Sequence, residues 1–419
     1  MPEVLNDSLK SGLVNTTQRT SVAYVLLSFP LPSETFIAEE ILSLYHINIQ
    51  PHILYLKEGD RFKVHPSAQT LLDKTPLMQL GDTSRLQAMG ALLQLLVNSP
   101  LRVLGTFAQA MKHPQRWRYT QVLPAAVWCL RNGVQFLHAH FADENFVSAS
   151  IISAWTGIPY GVTTHHYDVL KDPINKDKAT ELFHKAALVV TISEYKRRLM
   201  AEKYNLSQSR MHVVHCGIDL ERFAFIDRQQ YQVEQPFRLL NVARMVPDKA
   251  QDVLLKAVKL VKKQGVPIVL EIIGDGPQKN ALKNLAEDLN ILDCVIFHGI
   301  QTEAFVKERH AIADMFVLSS HSEGIPVACI EALALGTPAI ASRISGIPEL
   351  IEDEVSGWLV PADDPQLLAD AIHKAYVDPA KRQTIAVAGR RVVEKEFERN
   401  ACTNQLVQLW QMAIKENGY

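Results

Sequence analysis

Short apolar runs alternate with amphipathic stretches along most of the chain. In the first half the runs are V-A-Y-V-L-L (22–27), P-H-I-L-Y-L (51–56), F-L-H-A-H-F (136–141), Y-G-V-T-T-H (160–165), A-L-V-V-T-I-S (187–193) and M-H-V-V-H-C (211–216). Runs of this length, rich in β-branched and aromatic residues, predict buried strands. Residues 32–44 show helical spacing and predict a helix with Ser33 as its N-cap. Strands that alternate with helices predict parallel βαβ units.

The alternation stops at a polar segment and then resumes. Residues 224–236 lack periodicity, and the strand pattern restarts at 237–243, 268–274, 294–299, 315–320, 337–342 and 356–360, with a helix predicted over 251–263. A chain of 419 residues also exceeds one ordinary core, so two domains are expected. The fold class predicted is α/β, with two doubly wound Rossmann-like domains facing each other across a ligand-binding cleft.

The same pattern sets the expected domain boundaries. We expect a disordered tail over 1–20, an N-terminal domain over 21–223, a linker over 224–236, a C-terminal domain over 237–400 and a last helix within 401–419. The segment 404–414 in that last helix is amphipathic.

Composition and charge narrow the class of protein. The chain is 47% hydrophobic and its net charge is −2, which does not favour nucleic acid as a partner. It contains no run of eighteen apolar residues and no basic head followed by an apolar run, so we expect a cytoplasmic protein without a transmembrane helix. The five cysteines are dispersed and form no C-x-x-C, which argues against a zinc site and favours a reducing compartment.

One long stretch departs from this balance. Residues 83–142 contain no aspartate or glutamate. They contain long apolar helical segments at 89–97 and 101–112, and basic residues at Arg85, Arg102, Lys112, Arg116, Arg118 and Arg131. Such a region can rest on an anionic membrane surface. It can equally consist of two helices packed on the core with basic outer faces, and the sequence leaves both interpretations open.

The segment H-S-E-G-I-P-V-A-C-I-E (321–331) carries two glutamates in a mostly apolar context. A helix is expected to begin near Pro326 and to stop at Gly336, which places Glu323 in the loop before it and Glu331 inside it. Ligands bind at the carboxyl ends of parallel strands, and a helix N-terminus suits a phosphate. Two carboxylates beside such a site fit a nucleotide sugar, one for each sugar ring. The alternative is a turn glutamate and a surface glutamate without a ligand.

Two further loops follow predicted strands. Arg244 and Lys249 lie in N-V-A-R-M-V-P-D-K-A (241–250), where two cations can clamp a diphosphate or can simply be solvated. Gly274 and Gly276 lie in I-I-G-D-G-P-Q (272–278), where glycines allow the backbone to approach a ligand. This loop lacks the full G-x-G-x-x-G dinucleotide pattern.

Taken together, these segments resemble the C-terminal half of the family-4 retaining glycosyltransferases of the GT-B fold. The matching pieces are V-A-R-M-V-P-D-K, I-G-D-G-P, E-G-I-P-V-A-C-I-E, A-L-A-L-G-T-P-A-I-A and S-G-I-P-E-L-I (345–351). In the N-terminal half, S-F-P-L-P-S-E-T-F-I (28–37), H-A-H-F-A (138–142) and T-H-H-Y-D-V (164–169) resemble the subgroup that builds bacterial exopolysaccharides of the colanic acid type. The resemblance also implies that the C-terminal helix crosses back to the N-terminal domain.

The resemblance implies a role for particular residues. Arg244 and Lys249 would hold the donor diphosphate, Glu331 the ribose hydroxyls, and Glu323 the hydroxyls of the transferred sugar. Gly274, Gly276, Gly324, Ile325 and Pro326 would complete the donor site. The catalytic set would be His165, Asp168 and Glu323, with His166 as a lesser candidate. Ser33, Glu34, Thr35 and His140 would lie on the acceptor side, although the first three residues can instead cap the first helix.

Two departures from the family pattern stand out. Ala250 follows Lys249 where the family usually has glycine, and S-F-P-L-P-S-E-T replaces a glycine-rich first loop. The first change is expected to alter the loop but keep the cation. The second is expected to change the acceptor side.

The implied reaction moves a hexose from a UDP- or GDP-sugar to a hydroxyl of a growing, lipid-linked exopolysaccharide or glycan, with retention of configuration. No cofactor or metal is expected, since the cations can neutralise the diphosphate and the chain has no D-x-D. A lipid-linked acceptor would place the enzyme peripherally on the inner face of the plasma membrane. The alternatives are a sugar phosphorylase or sugar-nucleotide epimerase of the same fold, and a non-catalytic scaffold that binds nucleotide sugars.

Overall fold

The computed structural model describes residues 20–31, 34–59, 64–81, 83–112, 116–165, 168, 174–227 and 236–418. The tail predicted over 1–20 therefore lies outside the described residues except for residue 20, and so do Ser33, His166 and positions 228–235 of the predicted linker.

The N-terminal half forms a seven-stranded sheet in the order β3-β2-β1-β4-β5-β6-β7, and all its pairings are parallel. Its strands are β1 (Ser21–Phe29), β2 (Gln50–Glu58), β3 (Leu77–Gln79), β4 (Phe136–His140), β5 (Tyr160–Thr164), β6 (Leu188–Thr191) and β7 (Met211–Val213). The sequence analysis missed β3, because a strand of three residues is too short to show a period.

The C-terminal half forms a six-stranded parallel sheet in the order β10-β9-β8-β11-β12-β13. Its strands are β8 (Phe237–Val242), β9 (Ile268–Ile273), β10 (Val295–Gly299), β11 (Met315–Leu318), β12 (Ala339–Ser342) and β13 (Trp358–Val360). The prediction of two doubly wound parallel domains is confirmed.

Helices connect the strands in both halves. In the N-terminal half they are α1 (Thr35–Leu44), α2 (Pro66–Lys74), α3 (Arg85–Asn98), α4 (Pro100–Lys112), α5 (Arg116–Gln121), α6 (Leu123–Arg131), α7 (Glu144–Thr156), α8 (Lys176–Lys185) and α9 (Glu194–Tyr204). In the C-terminal half they are α10 (Gln251–Lys263), α11 (Lys279–Asp288), α12 (Glu303–Ile312), α13 (Val327–Ala334), α14 (Ile347–Leu350), α15 (Pro365–Val377), α16 (Pro379–Glu396) and α17 (Arg399–Glu416). Helix α1 has Glu34 as its N-cap, so the predicted N-cap at Ser33 was one residue too early.

Alternate residues of β1 explain why both faces of the N-terminal sheet are covered. Ala23 and Val25 are buried against the helices on one face, while Val22 and Tyr24 belong to a separate core cluster on the other face. Successive strand side chains point to opposite faces, so a strand that is apolar at every position requires helices on both sides. Trp410 of α17 belongs to the second cluster, so the C-terminal helix does cross back to the N-terminal sheet.

Ion pairs tie the two halves together beside the crossing helix. Arg222 donates to Glu39 of α1 at 2.6 Å and, through Nε, to Glu303 of α12 at 2.7 Å. Arg399 bonds to the same Glu39 and to Asp219. The Glu39 carboxylate thus binds both Arg222, which also pairs with α12, and Arg399 of the last helix.

A carboxylate of the C-terminal half also caps a helix of the N-terminal half. The two oxygens of Glu349 accept hydrogen bonds from the backbone N–H groups of Glu194 and Tyr195, both at 2.7 Å. A negative charge is stabilising at this position, because a helix N-terminus carries free N–H donors and a positive dipole end. These two hydrogen bonds form a second contact between the halves, in addition to the ion pairs of Arg222.

Helices α3 and α4 differ from the second interpretation of the acidic-free stretch, in which two helices pack on the core with basic outer faces. Their outer faces are apolar rather than basic, with Leu86, Met89, Leu93 and Val97 exposed on α3 and Leu101, Leu104, Phe107 and Met111 exposed on α4. The exposed Arg102 donates to the carbonyl of Thr156, which ties α4 to the end of α7. Among the described residues, no helix has the length and apolar character needed to cross a bilayer.

Candidate active site

The loops at the carboxyl edge of the C-terminal sheet bring the predicted donor residues together. Lys249, which follows β8, donates from Nζ to Oε1 of Glu323 at 2.5 Å, and Ser320 donates to the same oxygen at 2.7 Å. Glu323 is only 7% exposed. A buried carboxylate requires such partners, because desolvation otherwise disfavours its charge. The structure therefore supports the predicted proximity of these two residues.

Backbone and side-chain bonds hold the Lys249 loop in place. Ser319 donates to the carbonyl of Ala250 at 2.8 Å, and the buried Gln251 donates to the carbonyl of Arg244 at 3.1 Å. Ala250 has φ +46°, a left-handed conformation that glycine adopts without strain. The departure from the family's Lys-Gly pair therefore keeps the backbone path that positions the lysine.

The glycines of the β9 loop support the neighbouring loop. A Cβ atom on Gly274 would lie 2.0 Å from the carbonyl oxygen of Ala243, and one on Gly276 would lie 2.4 Å from that of Met245. Only glycine permits this approach, and it fixes the backbone on either side of Arg244. The side chain of Arg244 is exposed, and none of the described residues forms a hydrogen bond with its guanidinium.

Helix α13 begins close to this pair. Pro326 is its N-cap residue, and no side chain of the described residues caps it. The first backbone N–H groups of the helix are therefore available to an anion. Gly324 accepts a hydrogen bond from the N–H of Gly346, Ile325 is buried, and Gly336 ends the helix at φ +77°. The sequence placed Glu323 before the helix and Glu331 inside it, as the structure does.

Glu331 faces a different environment from Glu323. It lines a narrow cavity of about 60 Å³ between the two halves, together with Val327 one turn before it, Thr35 and Phe36 of α1, and Arg222. Burial raises the pKa of Glu331 to about 7; the negative charge of Glu303 adds to this shift, while Arg222 and Lys307 oppose it. The two glutamates therefore belong to separate parts of the site.

The raised pKa of Glu331 predicts a pH-dependent stability. A raised carboxyl pKa stabilises the folded state below the ordinary value of 4.5, and this contribution is lost as the pH rises through about 7. Glu34, Asp143 and Asp168 have raised pKa values as well. We expect the wild type to lose more thermal stability between about pH 5 and about pH 7.5 than Glu331→Gln does.

Differential scanning calorimetry of both proteins at the two pH values measures this difference. Glu202→Gln, on the exposed surface of α9, is the matched control and should follow the wild type. Parallel pH profiles for the wild type and Glu331→Gln would contradict the assignment.

A chain of buried hydrogen bonds leads to His165 in the N-terminal half. The Glu40 carboxylate accepts from the Tyr24 hydroxyl at 2.7 Å and lies 3.1 Å from Nε2 of His140, whose Nδ1 lies 3.1 Å from Nε2 of His165. Since Glu40 can only accept, His140 donates through Nε2 and must accept at Nδ1. His165 then carries its proton on Nε2 and leaves Nδ1 as an acceptor.

His138 lies beside this chain and connects it to the last helix. The indole N–H of Trp410 donates to Nδ1 of His138 at 3.1 Å, so Nε2 of His138 donates to the hydroxyl of Thr163 at 2.9 Å. Glu40, His138 and His140 offer ligand atoms within 4.8 Å of one another, the spacing of a metal site. Both nitrogens of His138 already have protein partners, so we interpret the group as a hydrogen-bond network.

Burial fixes the charge of His165. Its pKa lies well below the ordinary value because the ring is buried and close to His140. His165 is therefore neutral at pH 7 and acts through hydrogen bonds rather than through a positive charge. His140, predicted to face the acceptor, is 1% exposed and lies behind His165. The structure gives it a supporting position.

Asp168 is fully buried next to His165. One of its oxygens accepts from the backbone N–H of His165 at 2.7 Å, while the other has no hydrogen-bond partner among the described residues. Burial raises the pKa of Asp168 to about 7, although the hydrogen bond from the His165 N–H opposes this shift. The ammonium of Lys196, also buried, influences this pKa without a direct bond. Asp168 therefore holds the backbone of His165 in place.

The surroundings of His165 include two aromatic residues that the sequence analysis did not select. Phe36 and Phe141 pack on the His165 ring at centroid distances of 5.0 and 4.4 Å. Phe141 has φ +69°, a strained conformation for an aromatic residue. Asp143 caps α7 and has a pKa raised to about 6 by burial, and the pKa of Glu34 is raised to about 7 for the same reason. Glu34 makes no capping bond, which leaves its carboxyl for another partner.

Comparison with known proteins identifies the class of this site. A family model described as glycosyl transferases group 1 matches residues 223–392, and one described as glycosyltransferase family 4 matches residues 97–222. The two matches are contiguous and together cover well over half of the chain. The chain belongs to the glycosyltransferases.

Relatives support the same assignment over nearly the full length of this glycosyltransferase, and a solved structure shares its fold. It is 28% identical to the putative colanic acid biosynthesis glycosyltransferase WcaL of Escherichia coli K12, over 93% of this chain and 99% of the relative. It is 29% identical to the amylovoran biosynthesis glycosyltransferase AmsK of Erwinia amylovora, over 93% and 98%. The structure of Anabaena HepE in complex with UDP superposes with a TM-score of 0.73 at 18% identity, covering 94% of this chain and 100% of HepE. The predicted resemblance and the GT-B fold are confirmed.

Proposed function

We propose that this glycosyltransferase transfers a hexose from a nucleoside diphosphate sugar, UDP- or GDP-linked, to a hydroxyl of a growing, lipid-linked exopolysaccharide or glycan. The reaction retains the anomeric configuration and needs no metal. The observation that carries the proposal is the bond between Lys249 and the buried Glu323, located next to the uncapped N-terminus of α13. This arrangement supplies a cation, free N–H donors and a sugar-binding carboxylate at one point.

The charge that develops in this reaction matches the groups present. When the bond between sugar and phosphate breaks, negative charge accumulates on the leaving diphosphate. Lys249, Arg244 and the first N–H groups of α13 are the groups that would stabilise it, an effect worth roughly 3 kcal/mol for a single preorganised donor. Cations of the chain itself thus take the part that a divalent ion plays elsewhere. The metal-independent mechanism rests on this argument.

The N-terminal half provides the acceptor side. In our proposal the neutral His165, held by Glu40 and His140, contacts the reacting sugar by a hydrogen bond through Nδ1. Glu34 and Asp143 have raised pKa values, so near neutral pH each is poised to accept a proton from an acceptor hydroxyl. Retention requires attack on the face from which the diphosphate leaves, and we assign no protein nucleophile.

A lipid-linked acceptor would confine the reaction to a membrane surface. We propose that the protein acts in the cytoplasm, peripherally on the inner face of the plasma membrane, with the stretch 83–142 against the anionic lipids. The absence of acidic residues in that stretch and the apolar outer faces of α3 and α4 support this location. The relatives named for colanic acid and amylovoran biosynthesis support a polysaccharide product.

The test is nucleoside diphosphate release from a panel of UDP- and GDP-sugars in the presence of a bacterial lipid-linked glycan extract. We expect one donor to be used, with undiminished activity in EDTA and an unchanged anomeric configuration by NMR. Glu331→Ala should weaken donor binding. Measurable nucleotide binding without release from any donor would overturn the proposal.

The hydrogen-bond chain gives a separate prediction about catalysis. In Glu40→Gln the amide can donate as well as accept, so it no longer fixes the tautomers of His140 and His165. We expect kcat to fall by roughly 10²-fold, the lower end for a positioned acid–base group, with little change in the KM for the donor. Steady-state kinetics, with Glu202→Gln as the control, measures the effect. An unchanged kcat would remove Glu40 from the mechanism.

A further inference from the structure

Helices α3 and α4 present an apolar surface that no described part of the chain covers. The exposed side chains recur on one side of each helix, and Val97 and Leu101, at the turn between the helices, are 84% and 86% exposed. Helices of a globular protein normally turn such a stripe toward the core. Each of these two helices also has a buried apolar side that packs on the core. The outer stripe is therefore a second apolar side, exposed to solvent, of the kind that marks an interaction site.

An apolar cavity opens beneath this surface. It has a volume of about 290 Å³ and is lined by Leu92, Phe107, Ala110, Met111, Trp117 and Trp155, with Arg116 at its edge. This volume lies near the lower bound of small-molecule sites, roughly 300 Å³. A lining of aromatic and aliphatic groups favours a hydrocarbon ligand.

A second cavity lies next to the first and is more polar. Trp117 lines both cavities, and the second also contains Lys57 and Arg118, within a volume of about 400 Å³. Arg118 pairs with Glu144, yet its Nε–H is buried and has no hydrogen-bond partner among the described residues. Two cations at the end of an apolar cavity fit a phosphate attached to a hydrocarbon chain.

The second cavity also leads toward the candidate active site. Leu27 of β1, Lys57 of β2 and Gly81 after β3 line it, so it lies at the carboxyl edge of the N-terminal sheet. The charge of Lys57 affects the pKa of Asp143, which places the lysine near the acceptor side. A ligand that occupied both cavities would therefore run from the exposed apolar surface toward His165.

We propose that these cavities bind the lipid end of the acceptor. The apolar cavity takes part of a single hydrocarbon chain, and Lys57 and Arg118 bind the phosphate that joins the chain to the saccharide. The stripes on α3 and α4 would rest in the bilayer from which the chain rises. This inference rests on the proposed function, because it identifies the lipid that a lipid-linked acceptor carries.

Calorimetric titration of the full chain with farnesyl diphosphate tests the site directly. Inorganic diphosphate serves as the head group alone and farnesol as the chain alone. We expect farnesyl diphosphate to bind at least about tenfold more tightly than either fragment, a difference of about 1.4 kcal/mol. Sedimentation with phosphatidylglycerol vesicles distinguishes binding to a bilayer from binding of a single chain.

Matched variants locate the site. Ala110→Phe places a ring in the apolar cavity and should weaken binding of farnesyl diphosphate at least about tenfold. Ala108→Phe makes the same change on the exposed side of α4 and should bind as the wild type does. Phe107→Ser removes part of the cavity wall at a position that is 46% exposed, so it reports on the site even where Ala110→Phe does not fold.

Three outcomes would overturn the inference. The first is that the wild type, Ala110→Phe and Phe107→Ser bind farnesyl diphosphate equally well. The second is that the wild type has the same affinity for inorganic diphosphate as for farnesyl diphosphate. The third is that the protein binds vesicles but does not bind farnesyl diphosphate. These measurements need no sugar donor. Failure of nucleoside diphosphate release would therefore contradict the proposed function while leaving the lipid site standing.

Discussion

Replacement of Lys249 by alanine is expected to lower kcat/KM by about 10²–10³-fold, the usual cost of removing one preorganised group that stabilises developing charge. The ammonium lies 2.5 Å from Glu323 and next to the N-terminus of α13, where the diphosphate is expected to leave. It therefore meets more negative charge in the transition state than in the ground state. Most of the loss should appear in kcat, and the KM for the donor should rise less.

Two control variants separate this effect from a loss of structure. Lys256→Ala removes an exposed lysine that pairs with Asp252 on α10 and should leave the kinetics unchanged. Lys249→Ala also leaves Glu323 buried without its cation, so the double variant with Glu323→Gln should recover thermal stability but not activity. If Lys249→Ala retained kcat within about threefold, the diphosphate would have to be bound elsewhere.

The fold was predictable because parallel strands buried on both faces form continuous apolar runs. Residues 237–243 and 268–274 were recognised in this way, and their observed strands differ by one residue at the end. The strand Leu77–Gln79 was missed because three residues do not form a pattern. Helix α1 begins at Thr35, and its N-cap residue Glu34 makes no side-chain hydrogen bond. The capping rule that selected Ser33 assumes such a bond, so it placed the start of the helix wrongly.

The donor side was predictable because its residues lie in loops that follow strands in sequence. The spacing of Glu323 and Glu331 indicated one position before the helix and one inside it, which the structure reproduces. It did not reveal that the two carboxyls face different surroundings. Glu323 is paired with Lys249, whereas Glu331 lies by Arg222 in the space between the halves. That difference depends on how the domains meet.

The network around His165 was not predictable from local sequence. Tyr24, Glu40, His140 and Trp410 come from β1, α1, β4 and the last helix, and only the folded topology brings them together. The apolar outer faces of α3 and α4 were hidden for a related reason. Periodicity reveals that a helix has an apolar side, but it does not reveal whether another element covers that side.

Replacement of Trp410 by alanine should have the largest effect on stability, a loss of about 3–5 kcal/mol. Its side chain is fully buried between Tyr24, Phe136 and His138, with ring centroids 5.9, 6.4 and 5.2 Å away. The substitution leaves a cavity and removes the hydrogen bond to Nδ1 of His138, whose buried nitrogen then lacks a donor. Urea unfolding followed by circular dichroism measures the loss.

Trp117→Ala is the control for the loss of a tryptophan elsewhere, and Trp410→Phe separates packing from hydrogen bonding at the buried site. Trp117→Ala removes a tryptophan that is 52% exposed, so it should cost less than about 1 kcal/mol. Trp410→Phe keeps most of the packing but loses the N–H donor, so it should fall between the alanine variant and the wild type. The His138 ring also contacts the His140 ring. Loss of the hydrogen bond from Trp410 should therefore disturb the hydrogen bonds that lead from His140 to His165, and lower kcat even where the protein remains folded. Wild-type kcat in a folded Trp410→Phe would show that α17 anchors the C-terminus without influencing the site.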